Sequence, residues 1–147
     1  MPQTNALFAA QITIGLRSLN RFMVISFFEK HGKLSWMITI IGAVLIFYMS
    51  SLTFPSTSTS GNLSVVYHFS AFFLFSIFLL ISTTHGKYHK LIIFMSILIA
   101  VFYGVLDEVH QLYVLGRTCT LEDMLTDSIG VFVSLMVYSV RIKLKDS

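Results

Sequence analysis

Leu63-Ser-Val-Val-Tyr-His-Phe-Ser-Ala-Phe-Phe-Leu-Phe-Ser-Ile-Phe-Leu-Leu-Ile-Ser82 contains no Asp, Glu, Lys or Arg and a single histidine, His68. As an α-helix it is long enough to cross about 30 Å of hydrocarbon. Three other stretches read the same way. Leu34 to Phe54 carries no charge, Leu91 to Leu106 is uncharged up to Asp107, and Met124 to Val140 carries only Asp127. The third reaches full length by extending through Tyr113. Charged residues make up 12% of the 147-residue chain, hydrophobic residues 55%, and mean hydropathy is +0.79. A soluble domain would carry about 25% charge. The expected fold class is therefore all-α: an integral membrane four-helix bundle.

The basic residues suggest an orientation. Arg17, Arg21, Lys30 and Lys33 precede the first span, Lys87 and Lys90 lie between the second and third, and Arg141, Lys143 and Lys145 follow the fourth. Of the ten Lys and Arg residues only Arg117 falls in the other set of loops. The positive-inside rule then predicts a multi-pass cell-membrane protein with cytoplasmic N- and C-termini. The sequence pI near 9.1 reads as a topology signal, and no basic patch interleaved with aromatics points to nucleic acid. The single cysteine, Cys119, excludes an intrachain disulfide and a Cys-rich metal site.

Residues 1–33 are read as a cytoplasmic or interfacial segment, 34–140 as the transmembrane domain, and 141–147 as a basic tail. Within the first segment, Phe8, Ile12, Leu16, Leu19, Met23 and Phe27 recur at helical steps, with Gln11, Arg17, Ser18 and Arg21 largely off that stripe. This predicts an interfacial helix over Ala6–Phe28; an unstructured leader is the alternative. No basic n-region or small-residue cleavage site marks a signal peptide. Pro55 and the uncharged Ser/Thr run to Asn62 predict a polar loop. The phenylalanines after His68 are expected to pack, and His85 and His89 to be solvated.

Polar chemistry concentrates between positions 107 and 127. Asp107, Glu108, Glu122, Asp123 and Asp127 are five of the seven acidic residues. Gly104, Asp107, Glu108 and Gln111 share one face of the third helix by i, i+3, i+4, i+7 spacing. Asp123, Asp127 and Gly130 share one face of the fourth. His68 is expected about 8 Å below the end of the second helix, at a similar depth. Arg117 lies on the connecting loop, able to fold back over them. Ionisable groups inside a membrane mark functional sites unless pairing explains them.

Blander roles compete for each. Asp123 follows Thr120 in a capping-box-like pattern. Arg117 could simply pair with Asp107, Glu108 or Glu122. Glu122 is expected to be solvated, His110 to sit at a helix interface, and His68 alone would suit a hydrogen-bonded core histidine. Asp127 and the adjacent Asp107–Glu108 pair are hardest to explain structurally. Asp107, Glu108 and His68 are the candidate catalytic groups, for proton transfer or cation coordination. Gln111, Arg117, Asp123 and Asp127 are the candidate binding groups. Arg117 near the positive end of the fourth helix suits an anion. No set of residues is assigned to a metal, and no cofactor is identified. The sequence contains no HExxH, P-loop, GxGxxG or nucleophile-elbow motif, and nothing marks Cys119 as an activated nucleophile.

Asp107-Glu-Val-His-Gln111, Gly116-Arg117, Asp123 and Gly130 resemble the D-E-x-x-Q, G-R, D-x-x-x-N-x-x-G signature of VanZ-like proteins. Tyr48-Met-Ser-Ser51 with Pro55, and His68, are also similar. The likeness covers roughly Ser35 to Tyr138. Asp127 stands where asparagine is usual, and Val114-Leu115 lacks a proline often found before G-R. The resemblance implies a small four-helix membrane protein working at the outer membrane face. Its partners would be the lipid bilayer and an anionic lipid or cell-envelope precursor. It also nominates His68, Asp107, Glu108, Gln111, Arg117 and Asp123. The family's namesake is associated with low-level teicoplanin resistance, a role not transferred to this chain. Three functions follow: binding or modification of such a lipid, proton- or cation-coupled transport (which so short a chain would perform as a homo-oligomer), or a non-catalytic scaffold held by polar helix contacts.

Overall fold

The structure is a computed structural model that describes residues 23–53, 60–117 and 119–145. Four helices in it are long and apolar enough to cross a membrane. They are α1 (Gly32–Ser50), α2 (Ser60–Thr84), α3 (Lys90–Gln111) and α4 (Leu121–Lys145). Residues 23–30 are also helical, and no strand occurs among the described residues. The interfacial helix expected over Ala6–Phe28 falls largely outside the described residues, as does the loop from Pro55 onward.

The expected spans are all present, with shifted ends. α1 stops at Ser50, short of Phe54. The residues beyond it turn toward the α3–α4 connection: Ser51 Oγ lies 3.0 Å from His110 Nε2, and Thr53 Oγ1 donates to the Leu115 carbonyl at 2.9 Å. α2 begins at Ser60 rather than after Asn62, so His68 lies about 12 Å along it at 1.5 Å per residue. α4 starts at Leu121 and continues to Lys145.

Packing has the polarity expected in lipid. Ile40, Ile41, Val44, Leu45 and Phe47 on α1 are exposed to the surroundings, while Ser35, Thr39 and Ser50 face inward. Small and hydroxylated residues allow close helix approach and supply hydrogen bonds where apolar burial gives little driving force. Thr39 Oγ1 meets Ser82 Oγ at 3.0 Å, Thr83 Oγ1 meets Ser96 Oγ at 2.8 Å, and Ser134 Oγ donates to Ser76 Oγ at 2.7 Å. α2 is the central element, touching the other three helices and packing most extensively on α4. A Cβ added at Gly130 would stand 2.6 Å from the Phe69 carbonyl oxygen and 3.1 Å from the Phe73 nitrogen. Only glycine lets the two backbones approach this closely.

α3 and α4 each bury a single stripe. On α3 it runs through Ile93, Ser96, Ile97, Ala100, Gly104, Asp107, Glu108 and Gln111. On α4 it runs through Asp127, Gly130, Val131, Ser134, Tyr138 and Arg141. Both follow the three- and four-residue alternation of a helix face. The middle of the bundle is therefore apolar or small, and charge is gathered at its two ends.

Candidate functional site

At the end of the bundle where α3 finishes and α4 begins, three carboxylates lie within 4.0 Å of one histidine. His68 Nδ1 lies 3.0 Å from Asp127 Oδ1 and 3.9 Å from Glu108 Oε1, and its Nε2 lies 4.0 Å from Asp123 Oδ1. An ionised carboxylate only accepts hydrogen bonds, so with Asp127 ionised the His68–Asp127 contact requires a proton on Nδ1. In the neutral imidazole this leaves the Nε2 lone pair directed toward Asp123. His68, Asp107, Glu108, Gln111 and Asp127 are all buried, while Asp123 is partly exposed.

Gln111 organises the α3 side. Its Nε2 donates to Asp107 Oδ2 at 3.0 Å and to Glu108 Oε1 at 3.2 Å. Its Oε1 accepts from Arg117 Nη2 at 2.7 Å and Nε at 3.2 Å. The amide is thus inserted between the guanidinium and both acids. Arg117 makes none of the ion pairs weighed for it; among the described residues no carboxylate lies within salt-bridge distance. The geometric reason is Gly116, whose φ of 80° turns the connection so that Arg117 meets the end of α3 rather than the start of α4.

The start of α4 is occupied by its own side chains. Thr120 Oγ1 accepts the Asp123 amide at 3.1 Å and donates to Asp123 Oδ2 at 2.7 Å. The Thr120 amide donates to Glu108 Oε2 at 3.2 Å. Capping and participation in the cluster are both roles of Asp123, because its Oδ1 also faces His68 and accepts from Ser64 Oγ at 3.5 Å. Cys119 beside it is half-buried. Desolvation, then the neighbouring Glu108 carboxylate, push its thiol above the usual range, the opposite of an activated nucleophile.

One buried carboxylate oxygen of the cluster, Asp127 Oδ2, has no hydrogen-bond partner among the described residues, while Asp107 is also hydrogen-bonded by the Ser50 side chain. His68, Glu108 and Asp123 each present one ligand atom, all within 4.8 Å of one another, a separation compatible with a shared cation. His110 stacks on Phe47 at 4.3 Å, and Glu122 is exposed.

The other end of the bundle holds a network absent from the expectations above. Glu29 Oε2 lies 3.4 Å from Arg141 Nη2 and 3.2 Å from Lys145 Nζ, and Glu29 and Arg141 are buried. Tyr138 Oη lies 2.6 Å from Thr84 Oγ1 and accepts the Gly86 amide at 3.2 Å. The sequence signal was available: Glu29 is the one acid among the basic residues flanking the first span. A shallow groove of about 740 Å³, lined by Lys33, Trp36, Met37, Ile40 and His85 among others, also lies at this end and includes none of the His68 cluster.

An all-helical bundle with four membrane-length spans and ionisable groups enclosed at both ends defines a multi-pass membrane protein. The family model described as VanZ/LLP1 matches residues 14–142, and the chain belongs to that family. No curated protein and no solved structure matches it.

Proposed function

We propose that the end of the bundle bearing His68 faces the extracytoplasmic side and binds or modifies an anionic lipid or cell-envelope intermediate. The basic end, with Lys33, Lys87, Arg141 and Lys145, is then cytoplasmic, in accord with the positive-inside rule. The observation that carries the reading is the separation of Arg117 from the acids. Its guanidinium is partly exposed, is held through Gln111, and meets no carboxylate among the described residues. A guanidinium so placed is available to a phosphate or carboxylate. At the start of α4 the Asp123 amide already donates to Thr120 and the Thr120 amide to Glu108, so the anion is assigned to Arg117. Asp107, Glu108 and His68, behind it, would supply proton transfer.

The test is lipid mass spectrometry of membranes containing the wild-type chain, Asp107→Ala or Arg117→Ala, with protein abundance measured in parallel. The expected result is a lipid species that co-purifies with, or is altered by, the wild type and not the equally abundant variants. Identical lipid profiles overturn the reading. Flux of protons or cations into proteoliposomes without lipid change would favour transport instead.

A further inference from the structure

We infer that His68, Glu108 and Asp123 bind one divalent first-row metal ion, and that Asp127 orients the histidine for it. The inference deepens the proposed function and rests on it for the ion's use, although not for its binding. Three residues from three elements converge here: α2 supplies His68, α3 Glu108 and α4 Asp123. Ligand atoms about 2.0–2.2 Å from one tetrahedral ion stand about 3.3–3.6 Å apart. The three groups, within 4.8 Å of one another, need to draw together by up to about 1.5 Å.

The tautomer fits. Asp127 Oδ1 lies 3.0 Å from His68 Nδ1; with Asp127 ionised, that nitrogen carries the proton and Nε2 is left to the ion. A carboxylate behind a ligating histidine fixes ring orientation and raises ligand basicity. Nε2 is also the nitrogen that faces Asp123, at 4.0 Å.

Charge supplies a separate argument. Asp127 is 2% exposed and Asp107 5%, yet Asp127 Oδ2 lacks a hydrogen-bond partner among the described residues, and the side chains that hydrogen-bond Asp107, Ser50 and Gln111, are neutral. Arg117, the nearby permanent cation, contacts Gln111 instead. Uncompensated carboxylates in a low-dielectric interior are strongly unfavourable. A divalent ion between His68, Glu108 and Asp123 would compensate them. Mixed imidazole and carboxylate donors suit zinc, manganese or iron better than magnesium or copper(I). An ion there would act as a Lewis acid or lower the pKa of a bound water, beside the anion assigned to Arg117.

The test uses the full chain in detergent, stripped with chelator and titrated with Zn²⁺ by equilibrium dialysis and elemental analysis. About one zinc per wild-type chain is expected. Glu108→Gln and Asp123→Asn should each weaken binding by at least about ten-fold. Asp127→Asn, which removes no ligand but takes away the charge that raises the basicity of His68, should weaken it by about 10-fold. Glu122→Gln, at the exposed neighbouring acid, should leave it unchanged. Absence of stoichiometric zinc binding to the wild type overturns the inference and leaves protons as the compensating charge. So does binding that persists in Glu108→Gln/Asp123→Asn. Should the variants aggregate, Co²⁺ in the wild type decides. Intense visible bands of a four- or five-coordinate ion support the site, and only the weak spectrum of the hexaaqua ion overturns it. Zinc binding retained in Arg117→Ala with the lipid lost would separate failure of this inference from failure of the proposed function.

Discussion

His68 of α2 and Asp127 of α4 meet at 3.0 Å between Nδ1 and Oδ1, both almost wholly enclosed by the bundle. An asparagine at position 127 keeps an oxygen to accept the Nδ1 proton. Asp127→Asn should therefore hold thermal stability in detergent within about 1 kcal/mol of the wild type. Asp127→Leu leaves the His68 donor without its acceptor and should cost about 1–3 kcal/mol. Equal melting temperatures for the two variants would show that the contact contributes nothing to folding.

Gly130 and Gly42 form a matched pair. A methyl group at Gly130 meets the Phe69 carbonyl and Phe73 amide, backbone atoms that cannot turn aside, whereas at Gly42 nothing lies within 4 Å. Gly130→Ala should destabilise the protein by about 1–3 kcal/mol, the usual cost of overpacking. Gly42→Ala should be neutral or slightly stabilising through helix propensity. Thermal unfolding of the two variants, followed by size-exclusion chromatography, measures the difference.

Gln111 donates to two acids and accepts from Arg117. Gln111→Leu removes every one of these bonds while preserving approximate bulk. Bonds to charged groups contribute about 1.5–3 kcal/mol each, so a loss above about 2 kcal/mol is expected in the same unfolding assay. A smaller loss would mean that water replaces the amide.

Glu29 and Arg141 form a buried pair at the other end, with Lys145 alongside. Removing one member of a buried ion pair typically costs about 3–5 kcal/mol. Glu29→Leu should show such a loss, and Glu29→Leu/Arg141→Met should recover part of it. A double variant no more stable than the single would refute the pairing as an energetic unit.

Cys119 tests the orientation. It is the chain's one cysteine and lies next to the α4 start. A membrane-impermeant maleimide should label it in intact cells, faster as pH rises, because desolvation and Glu108 hold the thiol above its usual range and only the thiolate reacts. Glu108→Gln should speed labelling at fixed pH. Labelling that requires permeabilised cells would reverse the assigned sides.

The spans were legible because uninterrupted apolar length is a direct consequence of bilayer thickness. The shared faces of Asp107, Glu108 and Gln111, and of Asp127 and Gly130, followed from helical periodicity. Their convergence on His68 did not. Periodicity fixes which residues share a face but not which face meets which helix, and that depends on contacts such as Gly130 against Phe69. The bland alternative for Arg117, pairing with an acid, is not what forms, for a related reason: charge offers acids as partners, while the guanidinium meets the Gln111 amide. Glu29 was missed because its partner Arg141 lies at the far end of the sequence, where composition suggested only a tail.

α4 carries Asp127 and Arg141 on one buried stripe, about 21 Å apart at 1.5 Å per residue. Each engages a different part of the fold, His68 in one case and Glu29 in the other. The helix is consequently keyed at both ends. A slip of one residue, or the accompanying rotation of about 100°, would undo both engagements together and point two charges toward hydrocarbon. Register errors are thereby penalised twice, although the apolar middle of the helix discriminates poorly between neighbouring settings.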